Sequence, residues 1–280
     1  MKIGQRIKKI LPFITKKPLK KLSLCPSNSA LVCCINNDFI LKVPLTDDCR
    51  KNVEKEIKIS HILNQHDLSV KTPDWQQIDL PTDLAPDTYN SPICAISPVL
   101  PGTSPTHIDT PELARDLGLF LSHLHNIPIS TFEPLQSSVE NMFNLELRML
   151  DILGYDINKT TRQHLKDTVF SPINTLFHHL IQPVLCHHDL HMGNFFTNHY
   201  GRLSAVLDFG CARIANRTCD LKLISSYQSP KIQKILLDTY QQNIGKEIDF
   251  NTINTQETHL LLKMKTALAV AMKDFQNQRS

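Results

Sequence analysis

Three side chains in Cys186-His-His-Asp-Leu-His-Met-Gly-Asn-Phe-Phe196 and the nearby Ala205-Val-Leu-Asp-Phe-Gly210 have the types and spacing to do chemistry together. Asp189 and Asn194 stand five positions apart in a segment that reads as a loop. Asp208 closes a short apolar run, Ala205-Val206-Leu207, that reads as a strand. One carboxylate can lie beside a reacting hydroxyl. One amide oxygen and a second carboxylate can hold a hard divalent cation, which prefers oxygen ligands. Such a set suits a magnesium–nucleotide site. Cys186, His187, His188 and His191 also raise zinc, but the second ligand pair at finger spacing is missing.

D-F-G alone is a weak signal. D-x4-N, a turn, and an apolar strand ending in D-F-G is the pattern of phosphoryl-transferring kinases. His187-His188-Asp189-Leu190-His191-Met192-Gly193-Asn194 resembles the H-x-D-L-H-x-G-N signature of the aminoglycoside phosphotransferase / choline kinase family. The resemblance implies an α+β, two-lobed protein-kinase-like fold. A small antiparallel-sheet lobe with one helix precedes a larger, mainly helical lobe. It also implies Mg2+ with ATP or GTP as phosphoryl donor. Asp189 would orient the acceptor hydroxyl and take its proton, and Asn194 and Asp208 would hold the metal. The organisation expected is a basic segment over 1–21, a nucleotide-binding lobe over 22–97, and a lobe over 98–280 carrying the catalytic loop, metal site and substrate helices.

Several upstream elements must position this site. Ala30–Ile35 and Phe39–Val43 are rich in strand formers, and Asn36-Asn37-Asp38 supplies residues that tolerate a left-handed turn. Lys42, inside the second strand, is either an edge gatekeeper or the lysine that kinases pair with nucleotide phosphates. Thr46-Asp47-Asp48 can cap a helix that bears Val53, Ile57 and Leu63 on one face. Glu56, in a family-like E-x6-L pattern, would steady Lys42, with Glu54 as the competitor on the same helix. The chain has no glycine between Gly4 and Gly102. Ser27, Asn28 and Ser29 therefore occupy the place of the usual glycine-rich phosphate loop. Ile93–Leu100 reads as a strand running into Pro101-Gly102, which resembles the family hinge. Pro98 has no N–H, so purine contacts fall on Ser97 or Val99. Thr110-Pro111-Glu112 opens a helix with Leu113, Leu117, Phe120, Leu121, Leu124 and Ile127 as its buried stripe. Asp220 matches a family aspartate that braces the catalytic loop.

Charge and composition narrow the partners. Residues 1–21 carry eight basic residues and no acid. Of 30 basic and 27 acidic residues in all, the rest of the chain holds 22 and 27, a formal charge of −5. A basic tail on an acidic body argues against nucleic acid as a partner. The tail suits contact with an anionic membrane surface, but a helix packed on the first lobe is the simpler expectation. Eight scattered cysteines without a C-x-x-C pair fit free thiols in a reducing cytosol, so a cytoplasmic monomer is expected. Glu133, Glu140, Glu146, Asp151 and Asp156 against Arg148 suit a cationic small-molecule acceptor. No A-P-E follows D-F-G, and Leu190-His191 replaces Leu-Lys, which favours a small molecule over a protein substrate. The function expected is transfer of the γ-phosphoryl group of ATP or GTP to a hydroxyl of an aminoglycoside-like or other amino or sugar alcohol. The competing readings are a choline- or sugar-type metabolic kinase, and a kinase-like binding or regulatory protein of weak turnover.

Overall fold

A computed structural model describes residues 18–25, 30–79, 93–132, 135, 138–152, 157–225 and 229–277. The expectations for Ser27, Asn28 and Ser29, for most of the basic segment, and for Glu133 and Asp156 fall outside the described residues.

The first part of the chain is a five-stranded antiparallel sheet with one helix on it. Its strands are β1 (Leu22–Cys25), β2 (Ala30–Ile35), β3 (Phe39–Pro44), β4 (Gln76–Asp79) and β5 (Ile93–Pro98), in the order β1-β2-β3-β5-β4. Helix α1 (Asp47–Leu63) lies between β3 and β4 in sequence. The β2–β3 turn works as its composition demands: Asn36 and Asn37 both take left-handed backbone angles, at φ 55° and 60°. The Asn36 side chain also accepts from the N–H groups of Lys20 and Lys21 and donates to the Pro18 carbonyl, which ties down the entry to β1. Strand alternation then sorts the faces. Cys33, Ile35, Leu41 and Cys94 pack together on one side. Ala95 and Ile40 pack with Val53, Ile57 and Trp75 on the other. Thr46 caps α1 by accepting from the Cys49 N–H at 3.2 Å, as its sequence position requires.

The second part is mainly helical. It contains α2 (Pro111–Asn126), α3 (Ser138–Ile152), α4 (Lys159–Leu165), α5 (Ser171–Ile181), α6 (Thr218–Ser225), α7 (Pro230–Ile244) and α8 (Phe250–Asn277). Two antiparallel ribbons sit among them: β6 (Val184–Cys186) with β9 (Arg213–Ala215), and β7 (Phe195–Thr197) with β8 (Leu203–Val206). Leu113, Leu117, Phe120, Leu121 and Leu124 form the buried face of α2, against Leu236 and Tyr240 of α7 and against Phe195, Val206 and Phe209. A separate core joins α3, α5 and α8 through Phe143, Leu147, Ile173, Phe177, Leu260 and Met264. Between α4 and α5 the helix widens into a π turn at Lys166–Phe170, for which the sequence carries no evident signal. Among the described residues no helix is long and apolar enough to cross a membrane. All eight cysteines are free thiols.

The two parts join through the far end of α1, where Ile59 and Leu63 share the core of Leu113, Phe120 and Phe209, and at β7 and β8. Thr103 and Thr197 exchange backbone hydrogen bonds at 3.0 and 2.9 Å. Ser204 Oγ donates to the Pro101 carbonyl. Lys71 bonds on either side of Ala205, donating to the Ser204 carbonyl and accepting from the Val206 N–H. Gly102 sits inside this join at φ 123°, where a Cβ would stand 2.8 Å from the Thr197 carbonyl oxygen and 2.6 Å from Ser204 Oγ. Gly102→Ala is expected to lower stability by about 2 kcal/mol or more. Urea titration checks it, and a midpoint equal to wild type would mean that the join yields without strain.

Candidate active site

Lys42 leaves β3 on the face covered by α1. Its Nζ lies 2.7 Å from Glu56 Oε2 and 3.1 Å from Asp208 Oδ1, and 5.1 Å from the centre of the Trp75 ring. The other Glu56 oxygen accepts from the Trp75 indole N–H at 2.9 Å. Both oxygens of this buried carboxylate are therefore satisfied, as burial requires. Glu54, two residues earlier on α1, pairs with Arg50 at 2.8 Å, so the choice between the two glutamates falls on Glu56. Burial alone would push the Lys42 ammonium down, but the carboxylates of Glu56 and Asp208 outweigh it and hold the amine above its ordinary value. Burial likewise pushes the Asp208 carboxyl up, and Lys42 overrides it and holds the group below the usual carboxylate value.

The loop that carries Asp189 and Asn194 runs from the end of β6 to the start of β7. Leu190 is buried and anchors it. Asn194 donates through Nδ2 to the Asp189 backbone carbonyl at 2.8 Å and to Asp189 Oδ2 at 3.2 Å. Among the described residues no hydrogen bond engages its Oδ1. The Leu207 N–H donates to the Asn194 carbonyl at 2.7 Å, which brings Asp208 beside Asn194. Asp208 itself takes a left-handed backbone, φ 61° and ψ 66°, an uncommon choice for a residue other than glycine. Phe209 turns into the core beneath, its ring 4.5 Å from that of His187. Asn194 Oδ1 and the half-exposed Asp208 carboxylate are hard oxygen donors held on adjacent strand ends, a donor set that fits Mg2+.

The model of the phosphotransferase enzyme family matches residues 29–249. The chain belongs to that family. Solved structures agree on the architecture. Aminoglycoside phosphotransferase APH(2'')-Ib with bound ADP aligns at a TM-score of 0.60 and 17% identity, covering 94% of this chain and 98% of the other. The GDP and kanamycin complex of APH(2")-IIia aligns at 0.62 and 14% identity, covering 99% of each. Macrolide 2'-phosphotransferase MphH from Brachybacterium faecium aligns at 0.61 and 18% identity, covering 96% and 95%. The two-lobed kinase-like fold is thus that of the phosphotransferases.

Beneath the loop of this phosphotransferase lies a fully buried polar chain. Asp220 Oδ1 accepts from the His188 N–H at 2.8 Å, and Oδ2 accepts from the His187 N–H at 2.8 Å. His125 Nε2 stands 3.2 Å from the same Oδ2, and its Nδ1 lies 2.8 Å from the Tyr240 hydroxyl. Arg217 donates to that hydroxyl at 3.4 Å. The partners fix the tautomers. His125 carries its proton on Nε2 toward the carboxylate and accepts from Tyr240 at Nδ1. His187 donates from Nε2 to the Leu207 carbonyl at 2.7 Å and accepts from the Asp189 N–H at Nδ1. His188, to which the sequence lends no role, contributes its backbone, bent to φ 68° so that its N–H reaches Asp220.

This chain sets an acid limit on stability. Burial pushes the His125 and His187 imidazoles below the ordinary 6.5, so both are neutral in the fold. An unfolded chain takes up those protons first. Stability is therefore full above about pH 6.5 and falls as the pH drops below it. For Asp220, burial pushes the carboxyl up, but its bonds from His125 and the loop backbone outweigh this and hold it below 3.8. Its contribution is lost later, as the pH falls through that lower value. Thermal melts are expected to shift down from about pH 7 to about pH 5.5. A melting temperature flat over that range would overturn the neutral-histidine assignment.

Other expected positions fare differently. Val99 does not have a free N–H for a purine, because that group donates to the Asp38 carbonyl at 2.9 Å as the β3–β5 ladder extends past Pro98. The Ser97 hydroxyl is also engaged, accepting from the Asp74 N–H and donating to the Pro98 carbonyl. Of the acids expected to greet a cation, Glu146 is paired with Lys265 at 3.0 Å, while Asp151 is exposed on α3. Trp75, His125 and Arg217 escaped sequence reasoning as site-supporting groups. Trp75 is the chain's one tryptophan, its only signal. Tyr240 stands in a family-like L-L-x-x-Y stretch.

Proposed function

We propose that this phosphotransferase transfers the γ-phosphoryl group of ATP or GTP to a hydroxyl of an aminoglycoside-like or related amino alcohol. Its lobes would divide near residues 97–98, after a basic segment over 1–21. The observation that carries the reading is the meeting of two pairs at Asp208: Lys42, held by Glu56, reaches it from the sheet, and Asn194, bonded to Asp189, stands beside it. Asn194 and Asp208 would hold Mg2+, which when bound neutralises charge on the phosphate oxygens. Lys42, steadied by Glu56 and Trp75, adds a second positive charge there. Asp189 orients the acceptor hydroxyl and takes its proton. The hydroxyl oxygen bonds the γ-phosphorus as the bond to the β–γ bridging oxygen breaks, and the nucleoside diphosphate leaves. Most of the rate comes from positioning and electrostatics. Relatives of the same fold are described with ADP, with GDP and kanamycin, and as macrolide phosphotransferases, which supports a purine triphosphate and a natural-product acceptor.

The deciding experiment supplies Mg2+ with ATP or GTP and, separately, kanamycin, a macrolide, choline or a simple sugar, and follows diphosphate release and the mass of the acceptor. Kanamycin-dependent release is expected. Release driven only by another acceptor moves the substrate class, and no acceptor-dependent consumption with either nucleotide overturns the kinase reading. In the same assay Glu56→Gln is expected to raise the nucleotide KM about tenfold, because Lys42 loses a charged partner. Glu54→Gln, in a half-buried pair with Arg50 that does not include Lys42, is expected to change it less than about twofold. Equal effects from the two would sink the Lys42–Glu56 assignment.

A further inference from the structure

His191 sits two residues beyond Asp189, half exposed, and the loop mechanism above gives it no task. Its ring is nevertheless fixed at one end and lies beside a carboxylate at the other. Nδ1 accepts from the Gly193 N–H at 3.1 Å, which caps the short 3-10 turn Met192–Asn194. An imidazole that accepts at Nδ1 carries its proton on Nε2. That Nε2 faces Asp189 Oδ2 at 3.8 Å. The ring can lie there only because residue 193 has no side chain: a Cβ on Gly193 would stand 2.9 Å from His191 Cε1 and 3.1 Å from Nδ1. Asp189 Oδ2 is also the oxygen that Asn194 Nδ2 approaches at 3.2 Å. Among the described residues no donor reaches Asp189 Oδ1.

We propose that His191 is a positioning residue that, with Asn194, occupies Asp189 Oδ2 and leaves Oδ1 as the oxygen that takes the acceptor's proton. The inference rests on the phosphoryl-transfer reading above. Two N–H groups on one carboxylate oxygen hold the plane of the carboxylate and concentrate its proton-accepting capacity on the other. At 3.8 Å the His191 contact is longer than a hydrogen bond, and contacts of this kind shorten as the reacting groups assemble. The acceptor hydroxyl then approaches Oδ1 along one direction, and the proton leaves along the same line.

Two substitutions separate this role from simple capping. His191→Asn keeps a short side-chain acceptor for the Gly193 N–H and removes the donor that reaches Asp189. His191→Gln restores an N–H at that reach. With Mg2+, ATP or GTP and kanamycin, and with water as the acceptor in the absence of kanamycin, His191→Asn is expected to lower kcat about tenfold at unchanged KM for both substrates. His191→Gln is expected to recover most of the loss. Gly193→Ala, which displaces the ring without altering a charge, is expected to resemble His191→Asn. A capping role alone predicts that His191→Asn turns over like wild type, and that result overturns the proposal. A readout independent of turnover is the imidazole 15N spectrum of the full chain without nucleotide, with His191 assigned by its loss in His191→Asn. A proton fixed on Nε2 is expected, and a proton on Nδ1 or an averaged pair overturns the contact. If wild type consumes no nucleotide with kanamycin or water, the functional reading falls and the catalytic half of this inference with it, while the tautomer still decides whether the contact exists.

Discussion

Asp189→Ala is expected to lower phosphoryl transfer by about 10²–10⁴ in kcat while leaving the fold intact. The asymmetry follows from where the side chain stands. It is 43% exposed, and its one close hydrogen bond from a side chain comes from Asn194, which keeps its second bond, to the Asp189 backbone carbonyl, after the substitution. The melting temperature should therefore move by no more than about 2 °C. Lys42, Glu56 and Asp208 remain paired, so nucleotide affinity should change little. Measurement of kcat, nucleotide KM and thermal unfolding on one preparation tests all three statements. Turnover within about threefold of wild type would remove Asp189 from the reaction.

Asp220→Ala is the counterpart: its expected effect is on stability first and on turnover through it. The carboxylate is fully buried and accepts from two loop N–H groups and from His125. Truncation strands all three donors. Losing one member of such a buried charged network costs about 3–5 kcal/mol. The loop from His187 to Asn194 hangs from those two backbone bonds, so kcat should fall beyond what the lost stability explains at a temperature where the variant is folded. Asp220→Asn keeps an acceptor in place and should cost roughly half as much. If the alanine variant does not accumulate as folded protein, denaturant unfolding of the asparagine variant carries the test. A loss under about 1 kcal/mol for Asp220→Ala would mean that the loop is held by other contacts.

What could be read from the sequence was what depends on neighbours a few positions away. The Asn36-Asn37 turn, the Thr46 and Thr110 caps and the α2 stripe are fixed by local geometry, and each formed where its residues stand. The Asp189, Asn194 and Asp208 pattern was visible for the same reason, since five residues of loop and one short hairpin bring the three together. Groups that meet only through packing left little trace. His125 and Tyr240 are 115 positions apart and touch because α2 lies against α7. Trp75 reaches Glu56 from the start of β4; a short strand near Trp75–Ile78 is legible in that loop-rich segment, but its partner on α1 is not. Val99 looked available because Pro98 lacks an N–H, and only the register of β3 against β5 shows where its own N–H goes. The pairing of Glu146 with Lys265 likewise needed α3 and α8 to be placed side by side.

The join at β7 and β8 has a mechanical consequence. Pro101 and Thr103 bond to this hairpin, and Lys71 bonds to it on either side of Ala205. The far end of α1 adds a further fastening, because Ile59 and Leu63 are buried in one core with Leu113, Phe120 and Phe209. A sheet pinned at one ribbon and also keyed through its helix is a bracket and not a door, and it holds the Lys42–Glu56 pair at a fixed reach from Asp208.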